Sequence, residues 1–192
     1  MTAEWTTGPL ADPVPLLERA IAYTDGALRS VTDRDLDRPT PCSGWDLRML
    51  LAHMNESLTV LEEVVLDRAV VLVPASIPDA GTDPVAALHD RACRMMSAWR
   101  GSGDRGAIRV GGVPLPSDIA AAAGALEVAV HGWDVAAACG VPREIPGGLA
   151  DELLWCARLL VSDADRPGRF AAPRRVSASA GPGERLLAFL GR

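Results

Sequence analysis

The chain has 192 residues, 48% of them hydrophobic, and 25 acidic against 19 basic side chains give a formal net charge of -6. That length suits one domain with one core over residues 1–192, and an acidic balance without a basic block leaves no footprint for a phosphate backbone, so no nucleic-acid partner is expected. All nineteen basic residues are Arg, which excludes a lysine Schiff base and a Walker-type phosphate loop, whose motif needs Gly-Lys.

Apolar residues recur at helical spacing in long segments, each opened by a capping residue and often by a proline near the first helical position. The first helix is expected over Asp12 to Val31, with Pro13 and Pro15 in its first turn. The second runs from Ser43 to Val70, where Ser43 and Asp46 resemble a capping box. A third opens at Asp83 and Pro84 and closes near Arg100, with Gly101 suited to the left-handed cap. The Gly-rich stretch from Gly101 to Pro116 contains Ala107-Ile108-Arg109-Val110, a short strand or an ordered loop. A fourth helix covers Pro116 to Cys139, closed by Gly140 and Pro142. A fifth covers Gly148 to Asp163, and a short last one Gly183 to Leu190. The Pro-, Gly-, Ser- and Arg-rich tail from Pro167 to Gly183 is expected to lie extended across the helices.

The fourth helix carries the informative pattern. From Ile119 to Cys139 it is almost wholly Ala, Val, Gly, Leu and Ile, and its only ionisable side chains besides the terminal thiol are Glu127, His131 and Asp134. Their spacing, i, i+4, i+7, places them on one helical face. The segment is long enough to span a bilayer, but it is Ala-rich and has three polar groups at its centre, so a soluble bundle core is expected and no membrane partner. Burying a carboxylate and an imidazole there costs several kcal/mol each unless a metal or a hydrogen-bonded partner compensates.

Glu127 and His131 lie one turn apart, so both can reach a common point, as a metal site on a helix requires. The chain has three histidines. His53 sits among apolar neighbours in Met49-Leu50-Leu51-Ala52-His53-Met54 and is expected to point inward, whereas His89 lies beside Asp90, Arg91 and Arg94 on a polar face. His53, Glu127 and His131 would form a two-histidine, one-carboxylate set with open positions for chemistry. The alternative is a metal-free polar network, with Glu127 hydrogen-bonded to Arg48 or His53 and His131 a satisfied core histidine.

Four motifs together carry a family resemblance: Thr40-Pro41-Cys42-Ser43-Gly44-Trp45-Asp46-Leu47-Arg48, the following His53, the run EVAVHGWD from Glu127 to Asp134, and Arg185-Leu186-Leu187-Ala188-Phe189-Leu190-Gly191-Arg192. They resemble the DinB/YfiT-like metal-binding proteins of actinobacteria, related to the N-terminal domain of mycothiol-dependent maleylpyruvate isomerase. The resemblance spans essentially the whole chain. It implies an all-α, DinB-like four-helix bundle with a short extra C-terminal segment, and a divalent metal held by His53, Glu127 and His131. The chain ends soon after the bundle, leaving no room for that enzyme's separate C-terminal domain, so fold and metal transfer better than reaction.

The chemistry implied is addition or transfer of a low-molecular-weight thiol such as mycothiol to an electrophilic small molecule. An isomerase would add it reversibly to an activated double bond, and an S-transferase would keep the adduct. Zinc suits thiolate and imidazole best, with nickel and iron as alternatives. Rival readings are a metal-assisted hydrolase, a natural-product biosynthetic enzyme and a non-catalytic metal-binding bundle.

Asp134 either accepts the free ring N–H of His131 or bonds to a neighbouring helix. Trp45 and Trp133 line a pocket mouth or, more in keeping with helical spacing, belong to the core. Cys42, before a helix start, is a reactive thiol or, more simply, a small core residue. Arg109, Arg166, Arg169, Arg174 and Arg175 hold an anionic substrate or are solvated surface groups. The four cysteines are scattered without a CxxC and without a preceding signal peptide, so a reduced, cytoplasmic protein is expected. An apolar bundle is compatible with a homodimer, although no heptad seam marks a contact face.

Overall fold

The computed structural model describes residues 12–70, 83–102, 106–110 and 112–192. Helices dominate, in the order α1 (Pro13–Leu28), α2 (Leu47–Leu66), α3 (Pro84–Gly101), α4 (Ser117–Ala138), α5 (Gly147–Leu160), α6 (Arg166–Arg169) and α7 (Pro182–Phe189). Helix α1 packs on α4, α4 on α2, α2 on α3 and α3 on α1. These contacts close the four-helix ring of an all-α, DinB-like bundle, and α5 lies outside it against α4 and α7.

The Ala-rich composition of α4 explains its place. Ala121, Ala122, Ala125, Ala129 and Val135 are each fully buried or nearly so, because a helix of small side chains admits neighbours at close range on several sides. At Gly132 the approach is closest: a Cβ there would lie 3.0 Å from Thr24 Cβ and 3.1 Å from Thr24 Cα of α1. Helix α4 is long and apolar enough to cross a membrane by length and composition, but 72% of its most apolar window is buried inside the protein.

Both boundaries of the second helix differ from the sequence expectation. Helix α2 starts at Leu47 rather than Ser43: Asp46 is the N-cap, its carboxylate accepting from Met49 N at 2.8 Å. The preceding segment turns instead, with Trp45 N donating to Cys42 O at 3.0 Å, Gly44 at φ 80°, and a bridge between Pro39 and Asp46. Helix α2 also stops early. Arg68 takes φ 54° and the chain leaves as a strand, β1 (Ala69–Val70).

That strand pairs in parallel with β2 (Ala107–Val110), which pairs antiparallel with β3 (Val113–Pro116) in the register Ile108 opposite Leu115. Of the Gly-rich stretch, 103–105 and 111 lie outside the described residues; the remainder supplies the expected strand and a second one beside it. The tail opens with the short helix α6, and residues 170–181 carry no helix or strand. Arg174 N donates to Ala188 O at 2.8 Å, tying that segment to α7.

Candidate metal centre

Helix α2 brings His53 and helix α4 brings Glu127 and His131 to the floor of one open cleft of about 710 Å³. Glu127 Oε1 lies 2.7 Å from His53 Nε2 and 3.1 Å from His131 Nε2, so both imidazoles converge on one carboxylate oxygen. His53 and Glu127 are about one-third exposed, at 34% and 36%, while the His131 side chain is only 10% exposed. His131 therefore forms the back of the site, and the other two face the opening.

The second nitrogen of His131 is also occupied. Its Nδ1 lies 2.9 Å from Asp134 Oδ2, and Asp134 is 0% exposed. Asp134 in turn accepts from Arg192 through both oxygens, Oδ1 from Nε and Oδ2 from Nη2, each at 2.9 Å. Cys42 Sγ stands beside this pair, 3.4 Å from Asp134 Oδ2 and 3.3 Å from Arg192 Nη2.

Burial on its own would raise the Glu127 carboxyl pKa, but the hydrogen bonds with His131 and His53 outweigh it and hold the group well below the usual carboxylate range. Burial would likewise lower His131, yet its bonds to Asp134, Cys42 and Glu127 raise it well above an ordinary imidazole. At Asp134, burial is opposed by the bonds to His131 and Arg192, and the net direction is downward.

The donor chemistry fits a cation. A neutral imidazole has one N–H and one lone pair. At His131 both ring nitrogens face carboxylate oxygens. With Nδ1–H donated to Asp134, the Nε2 lone pair points at Glu127, an arrangement that needs a positive centre between them: a proton or a metal. Among the described residues, two groups have ligand atoms within 4.8 Å of one another, His53 with Glu127 and His131, and Cys42 with His131 and Asp134. In the second group Arg192 already neutralises Asp134, and a guanidinium in contact disfavours an added cation. The first group has no such competitor.

The model of the mycothiol maleylpyruvate isomerase N-terminal domain matches residues 17–136, which include His53, Glu127, His131 and Asp134. The chain belongs to that family. It is a DinB-like actinobacterial family. Two uncharacterized proteins of Mycobacterium tuberculosis, one from strain CDC 1551 / Oshkosh and one from strain ATCC 25618 / H37Rv, are each 31% identical over 183 residues, covering 94% of this chain and 98% of theirs. No solved structure gives a significant match.

Within this family member, the remaining sequence candidates separate clearly. Trp45 lines the cleft, its ring centroid 4.9 Å from that of His53 in an edge arrangement, whereas Trp133 faces a second cleft together with Arg174 and Arg175. Cys42 is half-buried: it packs against the core and also lines the cleft wall, beside His131 and Asp134. Arg166 and Arg169 both line the cleft, but Arg166 is mostly buried, with Nη1 donating to Ala171 O and Phe189 O at 3.1 Å each, while Arg169 is exposed; Arg109 is exposed on β2, outside the residues lining the cleft. Arg48 takes no part in the Glu127 network; it pairs with Asp37 at 3.6 Å. The residue that sequence reasoning missed is Arg192, whose partner Asp134 is 58 positions away.

Proposed function

We propose that His53, Glu127 and His131 hold a divalent metal, zinc in the first instance, and that the cleft above them serves a reaction between a low-molecular-weight thiol of the mycothiol type and an electrophilic small molecule. The observation that carries the metal is the convergence of two imidazole Nε2 atoms on one carboxylate oxygen, at 2.7 and 3.1 Å, on the floor of an open cleft. Family membership supports the thiol. Once bound, the cation would supply positive charge that favours the thiolate form of an incoming thiol.

The protein's own groups have distinct tasks in this reading. His53 and His131 present lone pairs, and Glu127 supplies the compensating negative charge. Asp134 keeps the His131 proton on Nδ1. Leu126, Val130 and Leu160 line the cleft with apolar surface that limits water, and the exposed Arg169 in its lining suits an anionic electrophile or thiol.

The same lining weighs against metal-assisted hydrolysis. Among the described residues that line the cleft, Glu127 is the only carboxylate, and a carboxylate engaged as a ligand is not available as the base for a bound water. A thiol brings its own nucleophile. The four free cysteines, Cys42, Cys93, Cys139 and Cys156, fit a reducing cytoplasmic setting.

Elemental analysis of untagged protein, beside Glu127→Ala and His131→Ala, tests the centre. The expected result is about one equivalent of divalent metal, lost in both variants. Thiol-dependent consumption of electrophiles should then require the metal. Metal-free wild-type protein with both variants folded would refute the proposal.

A further inference from the structure

Helix α7 ends in a backbone arrangement that aims one side chain at the centre. Gly191 N donates to Ala188 O at 3.1 Å and Arg192 N donates to Leu187 O at 2.9 Å, with Gly191 at φ 83°. These are the paired bonds of a Schellman cap, in which a left-handed glycine reverses the chain and the next residue folds back over the last turn. The glycine is also required by space. A Cβ at Gly191 would lie 2.6 Å from Ala171 Cβ and 2.7 Å from Ala171 O.

The cap delivers Arg192 into the wall of the cleft, where its side chain is only 13% exposed. Its fork meets the two oxygens of Asp134 in the bidentate geometry that fixes a carboxylate in both position and plane. Among the described residues no other arginine is paired with Asp134. Oδ2 of that same carboxylate holds His131 Nδ1. An Asp134 without the fork would keep only His131 and the thiol of Cys42 as partners and could turn about its side-chain bonds.

We propose that Arg192 is a positioning residue: acting through Asp134, it fixes the His131 ring with Nε2 turned to Glu127, so that seating of the α7 end sets the metal affinity. The inference rests on the metal reading of His53, Glu127 and His131. Among the described residues none of those three forms a hydrogen bond or ion pair with Arg192, so the effect is transmitted through Asp134, from the last turn of one helix to another.

Titration of metal-free protein with Zn²⁺ and with Co²⁺ tests it, comparing wild type, Arg192→Met, Arg192→Lys and Gly191→Ala. Arg100→Met serves as a control, because it breaks a 2.7 Å pair with Glu18 that lies away from the cleft. The expected loss in Arg192→Met is about 10–100-fold in affinity, as for outer partners of ligating histidines, with stoichiometry unchanged and an altered Co²⁺ visible spectrum. Arg192→Lys, which keeps the charge but not the fork, should fall between wild type and Arg192→Met. Gly191→Ala, which keeps the guanidinium but displaces it, should lose affinity as well, and Arg100→Met should bind as wild type does. A folded Arg192→Met or Arg192→Lys protein with wild-type affinity and spectrum would overturn the inference while leaving the metal centre intact. Wild-type protein that binds neither ion would overturn the metal reading itself, and this inference with it.

Discussion

Two glycines on helix α4 should respond unequally to the same substitution. Glycine to alanine in a helix interior gains about 1 kcal/mol from propensity alone, so any loss measures packing. At Gly132 the new methyl group would meet Thr24 of α1, with Cβ at 3.0 Å and backbone Cα at 3.1 Å. Thr24 cannot rotate away cheaply, because its hydroxyl donates to Val128 O at 2.8 Å and the side chain is 3% exposed. Overpacking costs about 1–3 kcal/mol and a buried hydroxyl left unpaired costs a similar amount. Against the propensity gain, Gly132→Ala should lose about 3 kcal/mol net, or about 6–12 °C in Tm for a chain of this size.

At Gly124 the obstacle is the end of a side chain, with Leu61 Cδ2 at 2.8 Å and Cγ at 3.1 Å. A leucine can change rotamer where a backbone cannot. Gly124→Ala should therefore fall within about 1 kcal/mol of wild type. Urea unfolding of both variants, read by circular dichroism, supplies the comparison. A Gly132→Ala protein as stable as wild type, or more so, would refute the reasoning that α1 and α4 are in contact through that glycine.

Three further outcomes are expected. Asp46→Ala removes the α2 N-cap bond to Met49 N and should lower stability by about 1 kcal/mol, or about 2–4 °C in Tm. Saturating zinc at about 100 times its Kd should raise wild-type stability by about 2.7 kcal/mol in a thermal melt, and His53→Ala should show no such rise. The third concerns alkaline pH. Burial first, and then the Glu152 charge, push the Cys156 thiol up to about 11. The folded protein therefore keeps a proton that the unfolded chain releases near pH 9, so stability should fall as pH rises from about 9 to 11, by about 2–3 kcal/mol at most. The decline should be shallower in Cys156→Ala, and equal slopes would contradict this assignment.

The convergence of His53, Glu127 and His131 was legible where chemistry and local periodicity coincide. Glu127 and His131 stand out as ionisable side chains one turn apart in an otherwise apolar helix, and His53 stands out by its apolar neighbours in α2. What was not legible depends on the path of the chain between elements. Ser43 and Asp46 are both good capping residues, and only the turn at Gly44 decides that the helix begins after the second. That same turn swings Cys42 into the cleft wall. Arg192 has no helical or strand spacing to Asp134, so no periodicity links the two, and their pairing exists only once α7 has docked. The strand after Arg68 is similarly a tertiary outcome, since two residues acquire strand character solely by pairing with β2.

The cleft is assembled from two kinds of material. Its floor comes from α2 and α4, helices locked by packing against each other and the remainder of the ring. Its rim comes from loop residues such as Pro41 and Ser43 and from the segment that carries Arg169, Phe170 and Ala171. Loops tolerate exchange that packed helices do not. Under the proposed function, a protein built this way can keep one metal centre while the set of molecules admitted to it is rewritten at the edge, so that a change of substrate need not disturb the residues that hold the metal.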